Sequence, residues 1–254
     1  MIIAKIQGGL GNQLFQWAYS RNLSKNNETF LDISLYTNNE EKREFGLDKF
    51  SNINYSINTH SLYNSVPIHD YFRYTNVTFY ATHLYYLNGY WQSEKYFKES
   101  EDIIRKDLEP SDEQFLKLNA TPFINDNVVS MHIRRTDYTT SNGYHPVQTV
   151  EYYKKALEII GEYDKLFIFS DDIEWCRNNL KFDNMIFIEG NTDIEDLYLI
   201  SLCKHNIIAN SSFSWWGAWL NKNPNKKVIA PSKWFGDIAN LNESDIVPEG
   251  WIRI

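Results

Sequence analysis

The second half of the chain alternates short apolar runs with amphipathic stretches. Val128 to Ile133, Leu166 to Phe169, Met185 to Ile188, Asn206 to Ala209 and Lys227 to Ala230 are brief runs rich in β-branched or aromatic residues, and each predicts a strand. Between them lie helical patterns. Val150, Tyr153, Leu157 and Ile160 recur at helical spacing behind Thr149, a residue able to cap, and from Asp193 onward Ile194, Leu197 and Ser201 share one helix face. Five such strands with helices between them predict a doubly wound parallel sheet, an architecture that presents ligands at the carboxyl ends of its strands.

The first half is less regular. Ile2 to Ile6 reads as a strand, Gly8 to Asn12 as a tight loop, Gln13 to Ser24 as a helix and Thr29 to Asp32 as a second strand. From Tyr36 to Tyr96 the pattern dissolves into an Asn- and Tyr-rich region that includes Tyr63, Tyr71, Phe72, Tyr74, Tyr80, Tyr85, Tyr86, Tyr90 and Trp91, and no element is assigned there. Glu94 to Leu108 reads as a helix. The polar segment Thr121 to Asn127 is the expected hinge, dividing the chain into an N-terminal lobe, 1–125, and a C-terminal lobe, 126–254. The expected architecture is two α/β lobes facing a cleft.

Composition narrows the function. In 254 residues, 43% hydrophobic and 16% aromatic content excludes a disordered chain. With 25 basic against 33 acidic residues the net charge is −8, so no basic field exists to neutralise a run of phosphates and nucleic acid is excluded as a partner. Cys176 and Cys203 match no metal-ligand spacing and predict buried free thiols in a reducing compartment. No apolar run approaches the ~18 residues of a membrane span, and Met1 to Ile6 is too short for a leader. The chain is therefore expected to be soluble.

Four segments carry candidate chemistry. Gly8-Gly9-Leu10-Gly11-Asn12-Gln13 joins a strand to a helix, so its backbone can approach a ligand, and the Asn12 carboxamide can bond sugar hydroxyls or phosphate oxygens; the same glycines also suit a purely structural turn. His132-Ile133-Arg134-Arg135-Thr136-Asp137 ends the Val128 strand. If the strand continues to Arg134, its period of two puts His132 and Arg134 on one face and Ile133 and Arg135 on the other. Arg134 would then meet a diphosphate bidentately while Arg135 anchors the loop, against Asp137; an ordinary strand-end ion pair is the alternative. Asp171 and Asp172 follow the next strand, where a carboxylate can accept from the N1–H and amino group of guanine or cap the following helix. No metal-ligand cluster accompanies them, and no metal is expected. Asn210-Ser211-Ser212-Phe213 opens an aromatic helix whose N–H groups and hydroxyls suit an anion, while Trp215, Trp216 and Trp219 read mainly as packing.

Together these segments resemble the α-1,2-fucosyltransferases of bacterial surface-glycan synthesis, glycosyltransferase family 11. Four blocks match in order: Gly8 to Gln16, Gly89 to Phe97, His132 to Tyr138 and Asn210 to Leu220, with Asp171 and Asp172 between the last two. The resemblance implies a GT-B fold and a reaction that inverts the anomeric carbon of GDP-fucose to give an α-linked fucose. It implies no cofactor and no metal. It places donor binding in the C-terminal lobe and the acceptor, a galactose-containing glycan or lipid-linked oligosaccharide, on the N-terminal side. By motif, Arg134 would hold the diphosphate with Arg135 in support, His132 and Asp171 or Asp172 would lie near guanosine, Gly9, Gly11 and Asn12 would approach the fucose or β-phosphate, and Ser211, Ser212 and Phe213 would line the nucleotide pocket. Tyr90 and Trp91 can stack on an acceptor sugar or pack in the core.

The base that takes the acceptor proton stays open among Asp137, His145 and Glu151, each with a plain alternative: a pair with Arg135, a turn before Pro146 and a favourable charge at a helix start. The implied location is the cytoplasm, including the inner-membrane face where lipid-linked glycans are assembled. Three rivals remain. The 8 tryptophans and 17 tyrosines suit a carbohydrate-binding module without catalysis, the arginine motif also suits a fucosyltransferase of another linkage such as α-1,6, and the glycine loop suits, less well, a dinucleotide oxidoreductase.

Overall fold

The computed structural model describes residues 1–24, 29–58, 65–69, 72–80, 82–111, 113 and 127–254. The chain forms two compact units, Met1–Ser111 with Leu241–Pro248 and Asp112–Asn240 with Glu249–Ile254. The expected hinge, apart from Asn127, lies outside the described residues, as do Tyr63 and Tyr71.

The second unit contains a six-stranded sheet of β6 (Val128–Ile133), β7 (Lys165–Ser170), β8 (Met185–Phe187), β9 (His205–Ile207), β10 (Val228–Ala230) and β11 (Ile252–Arg253). Every pairing is parallel, and the order is β11-β10-β9-β6-β7-β8. The strands thus run outward from β6 in one direction and from β9 in the other, and β6 and β9 flank the point where the order reverses. β6 is buried at all six positions, as expected for a central parallel strand covered on both faces.

Helices α4 (Val150–Ile160) and α5 (Ile173–Asn179) cover one face, where Val129, Met131 and Ile133 pack with Tyr153, Leu157, Ile160, Cys176 and Leu180. The alternate residues of β6 meet other partners. Ser130 Oγ accepts from Asn206 Nδ2 on β9 at 2.8 Å, and the same Nδ2 donates to the carbonyl of Ile200 in α6 (Asp193–Leu202). Asn221 Nδ2 donates to Asn206 Oδ1 at 2.8 Å, which ties in the end of α7 (Ser212–Leu220). Both cysteines are free and buried.

In the first unit, β1 (Ile2–Lys5), β2 (Phe30–Asp32), β3 (Ser56–Ile57), β4 (Val66–His69) and β5 (Tyr85–Asn88) form a parallel sheet ordered β3-β2-β1-β5-β4. Its order reverses between β1 and β5. α1 (Leu10–Ser24) follows β1 and is buried continuously from Gln13 to Ser20, and the short α2 (Ser34–Thr37) follows β2. The helix expected over Glu94 to Leu108 is broken: two short 3-10 turns, Glu94–Tyr96 and Lys98–Ser100, precede α3 (Glu101–Asp107). The successive residues Tyr96 and Phe97 both place their rings in the core, 4.7 Å from Tyr19 and 6.1 Å from Phe15, and Phe97, at φ −139°, stands between the two turns outside helical geometry. Among the described residues no helix is long and apolar enough to cross a membrane.

Contact between α6 and α7 depends on Gly217. A Cβ there would fall 2.4 Å from Ile200 Cγ2 and 2.9 Å from Ile200 Cβ. Gly217→Ala is expected to destabilise the protein by about 1–3 kcal/mol through overpacking. Combined with Ile200→Ala in denaturant melts it should cost less than the sum of the two single changes. Strict additivity would refute close packing at this crossing.

Candidate active site

The site forms where β6 and β9 release the chain. β6 ends at Ile133, short of the continuation to Arg134 that the alternation assumed, yet the two arginines beyond it still take different partners. Arg135 turns to the α5 face: its guanidinium lies 3.8 Å from the centre of the Trp175 ring, and its Nε is 3.2 Å from Asp172 Oδ2. Asp172 Oδ1 meanwhile accepts from Trp175 N at 3.1 Å and caps α5. The expected pair of Arg135 with Asp137 is therefore not formed; Asp137, three residues after Arg134, pairs with that residue instead.

Arg134 is held between two carboxylates, with Nη2 2.8 Å from Asp137 Oδ1 and Nη1 3.2 Å from Asp171 Oδ2. Burial opposes the Arg134 charge, but these carboxylates more than offset it and raise its pKa. Asp171 also accepts from the backbone N–H of Arg135 at 2.9 Å, from that of Thr136 at 3.2 Å, and from the Thr136 hydroxyl. It fixes the loop, whereas the Asp137 side chain is half exposed. Tyr138 lies beneath the Arg134 guanidinium, 5.7 Å away, and donates its hydroxyl to the carbonyl of Asn210 at 2.8 Å. That bond spans the point of reversal.

On the β9 side, Asn210 is buried, donating from Nδ2 to Trp234 O at 2.9 Å and accepting at Oδ1 from Gln148 Nε2 at 3.1 Å. Ser211 precedes α7 but makes no side-chain cap, although Thr149, Asp172 and Thr192 cap α4, α5 and α6 with their side chains. Helix α7 thus begins with its dipole and first N–H groups uncompensated by a side chain, next to Ser212 and Phe213. The Phe213 ring is 5.7 Å from that of His132. His132 is buried, its Nδ1 lacks a hydrogen-bond partner, and burial, reinforced by Arg134 and opposed by Asp171, lowers its pKa to about 3. It is a neutral ring.

His145 is stacked on Tyr138 at 4.7 Å and lies 5.5 Å from Phe235. Burial lowers its pKa, with Asp137 opposing and Arg134 adding to the effect. Glu151 is exposed in the first turn of α4, where it favours the helix dipole.

The second unit therefore brings together His132, Arg134, Arg135, Asp137, His145, Asp171, Asp172 and the start of α7. Gly9, Gly11, Asn12, Tyr90 and Trp91 belong to the first unit. There Gly11 lies within the first turn of α1 rather than in the loop, and Trp91, 2% exposed and 4.9 Å from Tyr19, is a core residue rather than a sugar platform. Tyr90 is half-buried beside Phe72. The residues overlooked from sequence are Tyr138, Thr136 and Trp175, whose roles arise from contacts made by the folded loop. Among the described residues no group of three His, Cys, Asp or Glu is placed to hold a metal ion.

Comparison with known proteins gives a consistent picture. The family described as Glycosyl transferase family 11 matches residues 52–254. An alpha-1,2-colitosyltransferase from Escherichia coli is 34% identical over 100% of this chain and 99% of its own length. The O-antigen biosynthesis glycosyltransferase WbnK, also from Escherichia coli, is 31% identical over 98% of this chain and 99% of its own. Among solved structures, the fucosyltransferase NodZ from Bradyrhizobium superposes with a TM-score of 0.53 at 12% identity, covering 85% of this chain and 90% of that one. The fold is of the GT-B type.

The neutral His132 sets an acid-side stability slope. Between its ordinary pKa of 6.5 and the folded value of about 3, the unfolded chain binds a proton that the folded chain does not, so stability falls as pH drops through this window. His145 and His205, also lowered, act in the same direction. Urea melts between about pH 6.5 and 4 should show a shallower slope for His132→Gln than for the parent, by at most ~1.4 kcal/mol per pH unit. Equal slopes would mean that His132 is protonated in the folded site.

Proposed function

The chain belongs to glycosyl transferase family 11, and we propose that it transfers L-fucose from GDP-β-L-fucose, with inversion, to the 2-hydroxyl of a galactose residue in a surface glycan, forming an α-1,2 linkage. The observation that carries this reading is Arg134 at the end of β6, joined through Tyr138 to the start of a helix whose N-terminus has no side-chain cap.

When the bond from the anomeric carbon to the β-phosphate breaks, negative charge grows on the departing diphosphate while the sugar becomes oxocarbenium-like. A fixed guanidinium and oriented N–H groups stabilise charge that develops in the transition state, which is where binding energy accelerates the reaction. Arg134 has two carboxylate partners, so the incoming phosphate must replace one of them. Asp137 is the one to yield, because its carboxylate is half exposed and can be rehydrated, whereas Asp171 is 18% exposed and holds the loop backbone. Asp171 then keeps the guanidinium aimed.

The guanidinium and the helix dipole supply the positive charge that this scheme requires without a divalent cation or other cofactor. Asp172 is committed to Arg135 and the α5 cap, and Asp171 to the loop, so a guanine base would take up acceptor capacity left on those oxygens. The proposed acceptor is a galactose-containing, lipid-linked oligosaccharide at the cytoplasmic face of the inner membrane, in keeping with the O-antigen relative. The colitosyltransferase relative favours a second reading of the donor alone, in which the transferred sugar is colitose, which lacks the 3-hydroxyl of fucose.

Arg134→Ala should lower kcat roughly 10²–10³-fold, matching the loss of an oxyanion donor at about 2.7–4 kcal/mol. Arg134→Lys should recover only part of this, since a point charge does not reproduce the planar fork. Turnover within threefold of the parent would reject the assignment. Rates with GDP-fucose against the colitose nucleotide decide the donor, product linkage decides the 2-hydroxyl, and full loss of activity with EDTA would overturn the metal-free scheme.

A further inference from the structure

The first sheet has its own point of reversal, between β1 and β5, and the two loops that leave it carry a pair of carboxamides that the phosphate chemistry does not use. The chain leaves β1 through Gly8 at φ 79° and leaves β5 through Trp91 at φ 55°. A bulky residue with a left-handed backbone is strained, and it persists only where its surroundings hold it. Here the buried indole packs 4.9 Å from Tyr19 and 5.3 Å from Tyr96.

The turn sends the next side chain toward α1, where Gln92 Nε2 donates to Asn12 Oδ1 at 2.8 Å. Gly8 makes room for this pair, since a Cβ at that position would lie 2.8 Å from Asn12 Nδ2. Gly8 is itself fixed, donating its N–H to Glu41 Oε2 at 2.8 Å and accepting at its carbonyl from Tyr36 Oη at 2.7 Å and Gln13 Nε2 at 2.9 Å. One buried atom is left over: Gln92 Oε1 has no hydrogen-bond partner. A buried, unpaired amide oxygen is costly, and a site that supplies its partner only from a ligand discriminates strongly for that ligand.

We infer that Asn12 and Gln92 form a hydroxyl-recognition site for a saccharide, with Gln92 as a specificity-determining residue; the inference rests on the glycosyl-transfer reading. A sugar hydroxyl both donates and accepts, so it can satisfy Gln92 Oε1 and take a bond from the Asn12 amide. The pair carries no charge, which fits a hydroxyl better than a phosphate. The ligand is either the transferred sugar of the donor or the acceptor sugar, and kinetics separates these.

The test uses Gln92→Met, which keeps the length of the side chain but removes both polar groups, and Gln92→Glu, which keeps an acceptor oxygen. Gln92→Met should raise one KM roughly tenfold, the loss expected for one neutral hydrogen bond with its partner orphaned. A raised donor KM identifies the transferred sugar, and a raised acceptor KM identifies the acceptor. Gln92→Glu should stay nearer the parent, and GDP affinity by calorimetry should be unchanged in both variants. If both KM values of Gln92→Met remain within about threefold of the parent, Gln92 is a structural residue and the inference fails, whatever happens to kcat. Failure of the underlying reading looks different: the parent itself then gives neither transfer nor GDP binding.

Discussion

The hydrogen bond from Asn206 to Ser130 fixes the pairing on which the second unit depends. Ser130 and Asn206 are direct neighbours in the parallel register of β6 and β9, and their side chains bond within a buried interior. A slip of one residue would reverse the faces of every residue in a strand. In β6 it would send Met131 and Ile133 toward the polar network and leave the Asn206 amide unsatisfied, a desolvation cost of about 1–3 kcal/mol. The registered strand then determines where Arg134 and Arg135 emerge. The loops at the carboxyl ends of β6 and β9 are brought together because the strand order reverses between them.

Charge in the site has to be read with this geometry. Two arginines stand among three aspartates, so a simple sum gives no cation for a diphosphate. The distribution resolves the difficulty. Arg135 and Asp172 are occupied with Trp175 and the cap of α5, and Asp171 is occupied with the loop backbone. Arg134 and the half-exposed Asp137 form the solvent-facing pair of the site, next to a helix start whose N-cap residue makes no side-chain bond. On the proposed reading, the positive character of the site is local and directional, and it is exposed when Asp137 gives way.

Much of this was legible in the sequence, and the reason is physical. Buried parallel strands must be apolar, so all five strands expected in the second half are present with their ends shifted by one or two residues at most, and the Thr149 cap forms as its position suggests. The different directions of Arg134 and Arg135 were anticipated from a two-residue period, although β6 ends at Ile133 before either of them. Ion-pair partners were not, because Asp171 and Asp137 compete for the same guanidinium and only the folded loop decides between them. The Tyr-rich region hid β4 and β5 for another reason. Its tyrosines bury their rings while their hydroxyls bond across the fold, as Tyr86 does to Asp32 at 2.7 Å and Tyr85 to the N–H of Tyr80 at 2.8 Å. Residues that are apolar and polar at once blur the alternation that reveals a strand. The edge strand β11, with both residues exposed, offered no hydrophobic signal at all.

The same reasoning explains why the four blocks read from the sequence lie where they do. Gly8 to Gln16 and Gly89 to Phe97 follow β1 and β5, while His132 to Tyr138 and Asn210 to Leu220 follow β6 and β9, so each sheet carries two blocks at its own point of reversal. Such points are places where adjacent loops diverge and leave an opening that neighbouring strands would otherwise close. The two points of reversal differ in chemistry, one carrying a guanidinium and a helix N-terminus and the other a pair of neutral carboxamides. The proposed reaction, which parts a diphosphate from a sugar, calls for both kinds of recognition, since charge is generated on one product and hydroxyl geometry decides which alcohol attacks. The left-handed Trp91 belongs to this division: its backbone strain is offset by burial of the indole, and what it provides is the direction of Gln92.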